Sequence, residues 1–171
     1  MPSNIEIKAR LTDLQATQRL VEAIADGPPQ TLQQTDTFFA CTHGRLKLRE
    51  IGDGSGELIA YQRADVADIK QSDYEITHVP DVESLKHVLR RALGESVVVE
   101  KTRLLYLIGQ TRVHLDRVTG LGDFLELEVV LAPGQSATAG QQVAASLLQQ
   151  FQVERDDLLA TAYADMLVAQ R

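Results

Sequence analysis

Two segments of this chain place charged residues of one sign at every second position. Arg45, Lys47 and Arg49 alternate with leucines in the first segment. Glu126 and Glu128 alternate with apolar residues in the second. Because alternate residues of a strand point to one face, each segment predicts a strand with a charged face and an apolar face. Like charges so placed lie about 6–7 Å apart and repel by roughly 2–3 kcal/mol at an effective dielectric constant near 20. A bound polyanion and metal ions would explain why the sequence keeps them together.

Other alternating segments add charged residues to the same kind of face. They are Glu6, Lys8, Arg10, Arg63, Lys101, Arg103, Arg112, His114 and Asp116. Arg and Lys side chains from several strands suit phosphate oxygens, which guanidinium groups bind through paired hydrogen bonds. Carboxylates beside them suit a hard divalent cation that bridges phosphates. The available oxygen ligands are Glu6, Asp116, Glu126 and Glu128. Because no set of Cys and His favours zinc, we expect Mg²⁺ or Mn²⁺.

Two alternatives compete with this interpretation of the charged faces. The first is the hydrated side of an ordinary antiparallel sheet, although such faces usually mix signs and carry Thr, Ser and Gln. The second is a structural network of ion pairs inside a barrel. Basic groups on these faces outnumber acidic ones, and this excess favours an anionic ligand.

Length and composition limit the class of protein. The 171 residues are enough for one well-buried domain, and we predict a single domain over residues 1–171. The net charge of −7 argues against a nucleic-acid binder, whose surface is basic. No apolar segment approaches the roughly 18 residues of a membrane span, no signal-peptide core opens the chain, and the single Cys41 cannot form an internal disulfide. We therefore expect a cytoplasmic protein without a membrane or nucleic-acid partner.

The elements that must position these residues follow from the periodicity of the apolar positions. Strands are predicted at 4–11, 32–41, 44–51, 57–63, 73–79, 97–103, 104–108, 111–118 and 123–131, and helices at about 13–25, 82–93, 136–151 and 156–169. About eight strands in hairpin order, interrupted by helices, predict a mostly antiparallel α+β fold. This strand number suits a closed or nearly closed barrel.

Six segments in order resemble the CYTH superfamily, the triphosphate tunnel metalloenzymes. They are Asn4-Ile-Glu-Ile-Lys8, Asp36-Thr-Phe-Phe39, Arg45-Leu-Lys-Leu-Arg49, Glu100-Lys-Thr-Arg103, His114-Leu-Asp116 and Gly120-Leu-Gly-Asp-Phe-Leu-Glu-Leu-Glu128. Each segment is weak evidence alone, but their order makes a strong signal that covers nearly the whole chain. Within the superfamily the sequence is most similar to the class IV adenylate cyclase-like proteins.

The resemblance implies a fold and a set of roles. The fold is an eight-stranded antiparallel β-tunnel flanked by helices. The implied metal ligands are Glu6, Asp116, Glu126 and Glu128, and the implied catalytic residues are Glu6, Lys8 and Glu126. The implied triphosphate-binding residues are Lys8, Arg10, Arg45, Lys47, Arg49, Arg63, Lys101 and Arg103. Tyr163 lies in a C-terminal segment like that of the family and is expected to pack rather than react.

One position departs from the family pattern. Asn4 stands where the opening motif has its first Glu, so the first strand has one carboxylate fewer. An Asn side chain coordinates a metal through its carbonyl oxygen without contributing charge. We therefore expect a second metal ion to bind weakly.

Three functions fit the resemblance and the charged faces. The first is a cyclase-like conversion of ATP to cyclic AMP and pyrophosphate. The second is hydrolysis of inorganic triphosphate, a nucleoside triphosphate or thiamine triphosphate. The third is a polyphosphate-binding module without turnover. For each function we expect a small-molecule triphosphate as the partner. The sequence leaves open whether the protein forms a homodimer.

Overall fold

The structure, a computed structural model, describes residues 4–63 and 70–171 and, for residues 63 and 70–73, the backbone alone. The strands in these ranges are β1 (Asn4–Leu11), β2 (Gln30–Phe39), β3 (Arg45–Glu50), β4 (Gly56–Arg63), β5 (Lys70–Val79), β6 (Glu95–Ile108), β7 (Thr111–Val118), β8 (Gly122–Val130) and β9 (Leu158–Leu159). The helices are α1 (Leu14–Glu22), α2 (Val82–Leu93), α3 (Ala137–Gln150) and α4 (Tyr163–Ala169). No helix in these ranges has the length and apolar character needed to cross a membrane.

The strands form one antiparallel sheet with the order β5-β4-β3-β2-β6-β7-β8-β1-β9. Strand β1 pairs along its whole length with β8. Its other edge pairs with β5 over Asn4, Ile5 and Glu6, and with β9 at Lys8 and Ala9. The short β1–β5 pairing joins the two ends of an eight-strand series, so the strands surround a cavity. The predicted antiparallel α+β tunnel is thus confirmed, with the two-residue β9 as an addition.

Alternation along the strands separates a charged inner face from an apolar outer face. The outer face of β1, β7 and β8 packs against α1 and α3 in a cluster that includes Ile7, Val113, Leu127, Val21 of α1 and Leu147 of α3. Fully burying a side chain of this size stabilises the fold by roughly 1.5–3 kcal/mol. This outer core fixes the strands whose inner faces carry the charged residues.

Three predicted elements are wrong. The expected strands 97–103 and 104–108 form one strand, β6. The apolar Leu105 takes an inward position there, which hides the alternation of charged and apolar residues in the sequence. The expected helix 156–169 is a 3₁₀ turn at Arg155–Asp157, followed by β9 and the shorter α4. Leu158 pairs with the edge of β1 and packs on the outer core, and this tertiary context overrides helix propensity.

Candidate active site

The inner face of the sheet lines a cavity of ≈ 360 Å³. Its walls include the predicted site residues Glu6, Lys8, Lys47, Arg49, Lys101, Arg103, Glu126 and Glu128. Further lining side chains come from β4 and β5 and from the start of α4. Strand alternation therefore brings the two charged segments that stand far apart in the sequence into one cavity.

One wall is organised around the carboxylate of Asp36 on β2, whose side chain is 2% exposed. Arg49 donates to both of its oxygens, with Nε–Oδ1 and Nη2–Oδ2 distances of 2.8 Å. The Nζ atoms of Lys47 and Lys101 lie 3.0 and 3.3 Å from Oδ2. Three cationic side chains on two flanking strands thus share one carboxylate. We call Asp36, Lys47, Arg49 and Lys101 the Asp36 cluster.

Charge and burial oppose each other inside the Asp36 cluster. Burial alone would raise the pKa of Asp36, but the charges of Lys47, Lys101 and Arg49 outweigh it and hold this pKa well below its usual range. Burial lowers the pKa of Lys101 to about 7 despite the attraction of Asp36, and nearby Arg103 adds to the lowering. Lys101 is therefore divided between charged and neutral forms near neutral pH, and an anion would favour its charged form.

The opposite wall is built from β1, β7 and β8. Strand register places Glu126 beside Lys8 on one flank and His114 on the other. Lys8 Nζ lies 3.5 Å from Glu126 Oε2, and His114 Nδ1 donates to Glu126 Oε1 over 3.1 Å. Arg112 Nε lies 2.9 Å from Glu128 Oε2. We call Lys8, Arg112, His114, Glu126 and Glu128 the Glu126 cluster.

Protonation states in the Glu126 cluster follow from the same balance. Burial would raise the pKa of Glu126, but Lys8, the hydrogen bond from His114 and the charge of Arg103 bring it well below its usual range. Burial and the charge of Arg103 lower the pKa of His114. A neutral imidazole that donates through Nδ1 presents its other nitrogen as an acceptor. Glu126 is therefore an anion that can bind a cation.

Asp116, a predicted metal ligand, does not line the cavity. Its side chain is 0% exposed, and Arg103 donates to both of its oxygens with distances of 2.6 Å. The hydroxyl group of Tyr163 donates to Oδ2 over 2.8 Å. Through these bonds Asp116 orients Arg103 and the Tyr163 hydroxyl group.

Tyr163, at the start of α4, closes part of the cavity wall. It packs on Phe124 with ring centroids 4.9 Å apart, as the sequence led us to expect, and Lys8 Nζ lies 3.8 Å from its ring centroid. Burial and the charges of Asp116 and Glu126 raise its pKa well above the usual range. Tyr163 therefore stays protonated and supports Lys8 as well as packing.

Two predicted phosphate ligands lie outside the cavity. Arg10 is exposed, donates to the Leu121 carbonyl oxygen over 3.1 Å and lies over the Phe124 ring. Arg45 makes two hydrogen bonds to Asp165 of α4, at 3.1 and 2.6 Å. Alternation assigned the correct face to both, but it carries no information on where the cavity ends. The side chain of Arg63, another predicted ligand, lies outside the described residues.

The wall formed by β1, β7 and β8, which we call the Glu wall, carries carboxylate oxygens of the kind that a hard divalent cation prefers, and Glu126 and Glu128 are paired with cationic side chains. Glu6 lies directly opposite Glu128 in the β1–β8 register, and both line the cavity with Glu126. Asn4 donates through Nδ2 to Glu128, while its buried Oδ1 has no hydrogen-bond partner among the described residues. In those residues no three His, Cys, Asp or Glu side chains gather as an ion-binding group. Mg²⁺ or Mn²⁺ would require the carboxylates to exchange their cationic partners for the metal.

Sequence reasoning missed the central position of Asp36 and assigned no role to Arg112. Asp36 entered only as part of a family-like segment. An Asp in the middle of a strand is unfavourable on propensity, and that was the available signal. Arg112 shares the alternating face of His114, but nothing in the sequence shows that it lies opposite Glu128 on β8.

Comparison with known proteins identifies the relatives of this architecture. The profile of the CYTH domain matches residues 3–163. The PH1012 protein from Pyrococcus horikoshii has a similar structure, with a TM-score of 0.85 and 21% identity over 95% of this chain and 98% of that chain. A candidate adenylate cyclase from Vibrio parahaemolyticus has a TM-score of 0.80 and 22% identity over 96% of this chain and 97% of that chain. HpAC1 from Hippeastrum is described as a candidate adenylyl cyclase with a dominant triphosphatase activity. Its structure has a TM-score of 0.68 and 14% identity over 99% of this chain and 95% of that chain. No curated protein matches the sequence.

Proposed function

The chain belongs to the CYTH domain family, and on that premise we propose that its tunnel binds and processes a triphosphate with the help of Mg²⁺ or Mn²⁺. Members of this family are triphosphate-processing enzymes and generally depend on divalent metal ions. The observation that carries the proposal is the Asp36 cluster, where three cationic groups bond to one buried carboxylate. Even with Glu57, which lies opposite Arg49, cations outnumber carboxylates on this wall. A bound polyanion balances the excess positive charge of this wall.

Each wall has a separate role in this proposal. Lys47, Arg49 and Lys101 bind phosphate oxygens, together with Arg103 and, as predicted from the sequence, Arg63. Glu6, Glu126 and Glu128 hold the cation, which when bound neutralises phosphate oxygens and polarises the phosphorus. Lys8 contacts Glu126 and the Tyr163 ring, and it neutralises charge that develops on the phosphate during reaction.

The cyclase-like reaction fits the likeness to class IV adenylate cyclase-like proteins. The ribose 3′-oxygen of ATP attacks the α-phosphorus and forms a new P–O bond, while the bond from that phosphorus to the β-phosphate oxygen breaks. The hydroxyl proton passes to water, and pyrophosphate leaves with the bonding electron pair. The cationic wall stabilises the charge on the departing pyrophosphate.

Triphosphate hydrolysis is the second candidate, and the description of HpAC1 favours it. Water attacks the terminal phosphorus and forms a new P–O bond, the bond to the bridging oxygen breaks, and the diphosphate leaves with the bonding electron pair. Orthophosphate and a proton are released. Asn4, which leaves the Glu wall one carboxylate short, favours the third candidate, binding without turnover. All three use the same cationic wall.

Phosphorus NMR distinguishes the three functions. The protein is incubated with ATP, inorganic triphosphate or thiamine triphosphate in the presence of Mg²⁺ or Mn²⁺. Cyclic AMP with pyrophosphate identifies the cyclase, and orthophosphate release identifies the triphosphatase. Ligand-induced protection against heat without any product identifies the binding module. Neither product nor protection with any of the ligands contradicts the proposal.

A matched pair of variants tests the metal assignment. Glu126→Gln keeps the shape of the side chain but removes its charge, and we expect metal-dependent turnover to fall on the order of 100-fold. Glu100→Gln removes a carboxylate from the exposed face of β6 and should leave turnover unchanged. Mn²⁺ binding, followed by electron paramagnetic resonance, should weaken in the first variant alone. Equal turnover in both variants would sink the metal assignment.

A further inference from the structure

One part of the cavity wall is apolar and aromatic rather than charged. Ile59 and Tyr61 of β4 and Tyr74 and Ile76 of β5 all line the cavity. The register places Ile59 directly opposite Ile76 and Tyr61 directly opposite Tyr74. Two cross-strand pairs therefore form a continuous patch on adjacent strands. We call these four residues the aromatic strip.

Part of the aromatic strip is accessible, since Ile76 is exposed and the two tyrosines are half-buried, whereas Ile59 is buried. Ile76 is 49% exposed, although it lies on the inward face of its strand. A wall that binds only phosphate and metal has no need for apolar side chains, and exposed apolar surface in a concave site is typical of ligand-binding grooves. The strip is thus suited to a part of the ligand that is not phosphate.

The aromatic strip also adjoins the Asp36 cluster. Lys47 lies opposite Ile59 in the β3–β4 register, and its Nζ atom is 5.6 Å from the centroid of the Tyr61 ring. Ile76 follows one strand further on, so about two strand spacings, roughly 10 Å, separate it from Lys47. A group attached to a phosphate held by Lys47 is therefore within reach of the strip.

Resting on the proposed triphosphate function, we propose that the aromatic strip binds a planar organic group carried by the triphosphate. The substrate is then an organic triphosphate, such as a nucleoside triphosphate, rather than inorganic triphosphate. Tyrosine rings offer faces on which flat rings stack, and the two isoleucines exclude water from the ring edge. The phosphates lie on the Asp36 cluster and the ring lies on β4 and β5.

Calorimetry with two probes tests this assignment. ATP and inorganic triphosphate share the phosphate chain, but only ATP carries a ring. In the presence of Mg²⁺ we expect Tyr74→Ala and Ile76→Ala to weaken ATP binding about tenfold, because a stacking surface is lost, and to change the affinity for inorganic triphosphate less than about twofold. Leu107→Ala is the matched control, because Leu107 is 52% exposed but does not line the cavity.

The results separate this inference from the proposed function. Tyr74→Phe keeps the ring and should keep ATP affinity, which guards against a variant that fails to fold. If Tyr74→Ala and Ile76→Ala weaken both probes equally, or neither, the aromatic strip is a structural surface and the inference is overturned while triphosphate binding stands. If the wild-type protein binds inorganic triphosphate but not ATP, the inference is also overturned. Binding of neither probe overturns the proposed function itself.

Discussion

The two charged walls of the tunnel differ in their balance of cationic and anionic side chains. In the Asp36 cluster a single carboxylate accepts bonds from three cationic side chains. In the Glu126 cluster, Glu126 and Glu128 lie beside Glu6 and face Lys8, Arg112 and a His114 whose pKa is lowered. One wall therefore has an excess of positive charge, and the other carries three carboxylates, whose oxygens are the ligands that a divalent cation prefers. This difference is why we propose the first wall for the phosphates and the second for the cation.

Arg103 and Lys8 both contact Glu126. Arg103 makes its strongest contacts with Asp116 and also lies 3.4 Å from Glu126 through Nη2. Lys8 lies between Glu126 and the ring of Tyr163. A network of ion pairs inside a barrel was one alternative suggested by the sequence, and the structure does contain such pairs. A purely structural network does not require three cationic side chains to share one carboxylate, as they do at Asp36.

The largest expected effect comes from neutralising the centre of the cationic wall. Asp36→Asn leaves three cationic groups without their shared carboxylate, and we expect the free energy of unfolding to fall by about 3–5 kcal/mol. Inorganic triphosphate should recover part of this loss, because it supplies negative charge at the same place. Urea unfolding with and without triphosphate measures both effects.

Asp165→Asn provides the comparison for that experiment. Asp165 also pairs with an arginine, but its side chain is 42% exposed, so its loss should cost about 1 kcal/mol or less. Equal destabilisation by the two substitutions would mean that water screens the Asp36 cluster as well as it screens the surface. In that case the contrast between the two walls would lose its electrostatic basis.

A smaller effect is expected from pH, through Lys101. Its pKa of about 7 describes the protein without ligand, and a bound polyanion raises this pKa because it favours the charged form. Binding therefore takes up a proton, and affinity for inorganic triphosphate should fall as pH rises above 7, by at most about tenfold per pH unit. Calorimetry between pH 6 and 8.5, in buffers of different ionisation enthalpy, measures the affinity and the proton uptake together.

Lys101→Arg sharpens this test, because an arginine side chain stays protonated throughout the range. In this variant the decrease of affinity above pH 7 should disappear. The triphosphate itself loses protons as pH rises, and that change strengthens binding to a cationic wall. An unchanged pH profile in Lys101→Arg would show that a group other than Lys101 takes up the proton.

Strand periodicity predicted the antiparallel α+β fold and the inner position of most charged residues, and the family resemblance predicted the tunnel. Glu6, Lys8, Lys47 and Arg49 lie on the inner face because alternation in a regular strand is a local property. Helix α2 was predicted with its correct bounds, since an apolar stripe and a terminal glycine mark it in the sequence. These features depend on residues that are close together in the chain.

What the sequence did not reveal depends on contacts between distant segments. The bond from Tyr163 to Asp116 joins residues 47 positions apart, and the contact of Lys101 with Asp36 spans 65. The aromatic strip was missed for the same reason, because Tyr61 and Tyr74 become neighbours only through the β4–β5 register. Periodicity tells which face a residue occupies but not which residue of another strand it meets.

The smallest expected effect, that of replacing Arg45, tests where the cationic wall ends. Arg45 continues the alternation of Lys47 and Arg49, yet it bonds to Asp165 outside the cavity. Arg45→Ala should therefore change triphosphate affinity less than about twofold, whereas Arg49→Ala removes a charged hydrogen-bond donor from the wall and should weaken binding at least about tenfold. Titration calorimetry at one ionic strength compares the two variants directly. A tenfold loss in Arg45→Ala would mean that the triphosphate reaches past the cavity to α4, and that the wall follows the full alternating segment rather than the part that bonds to Asp36.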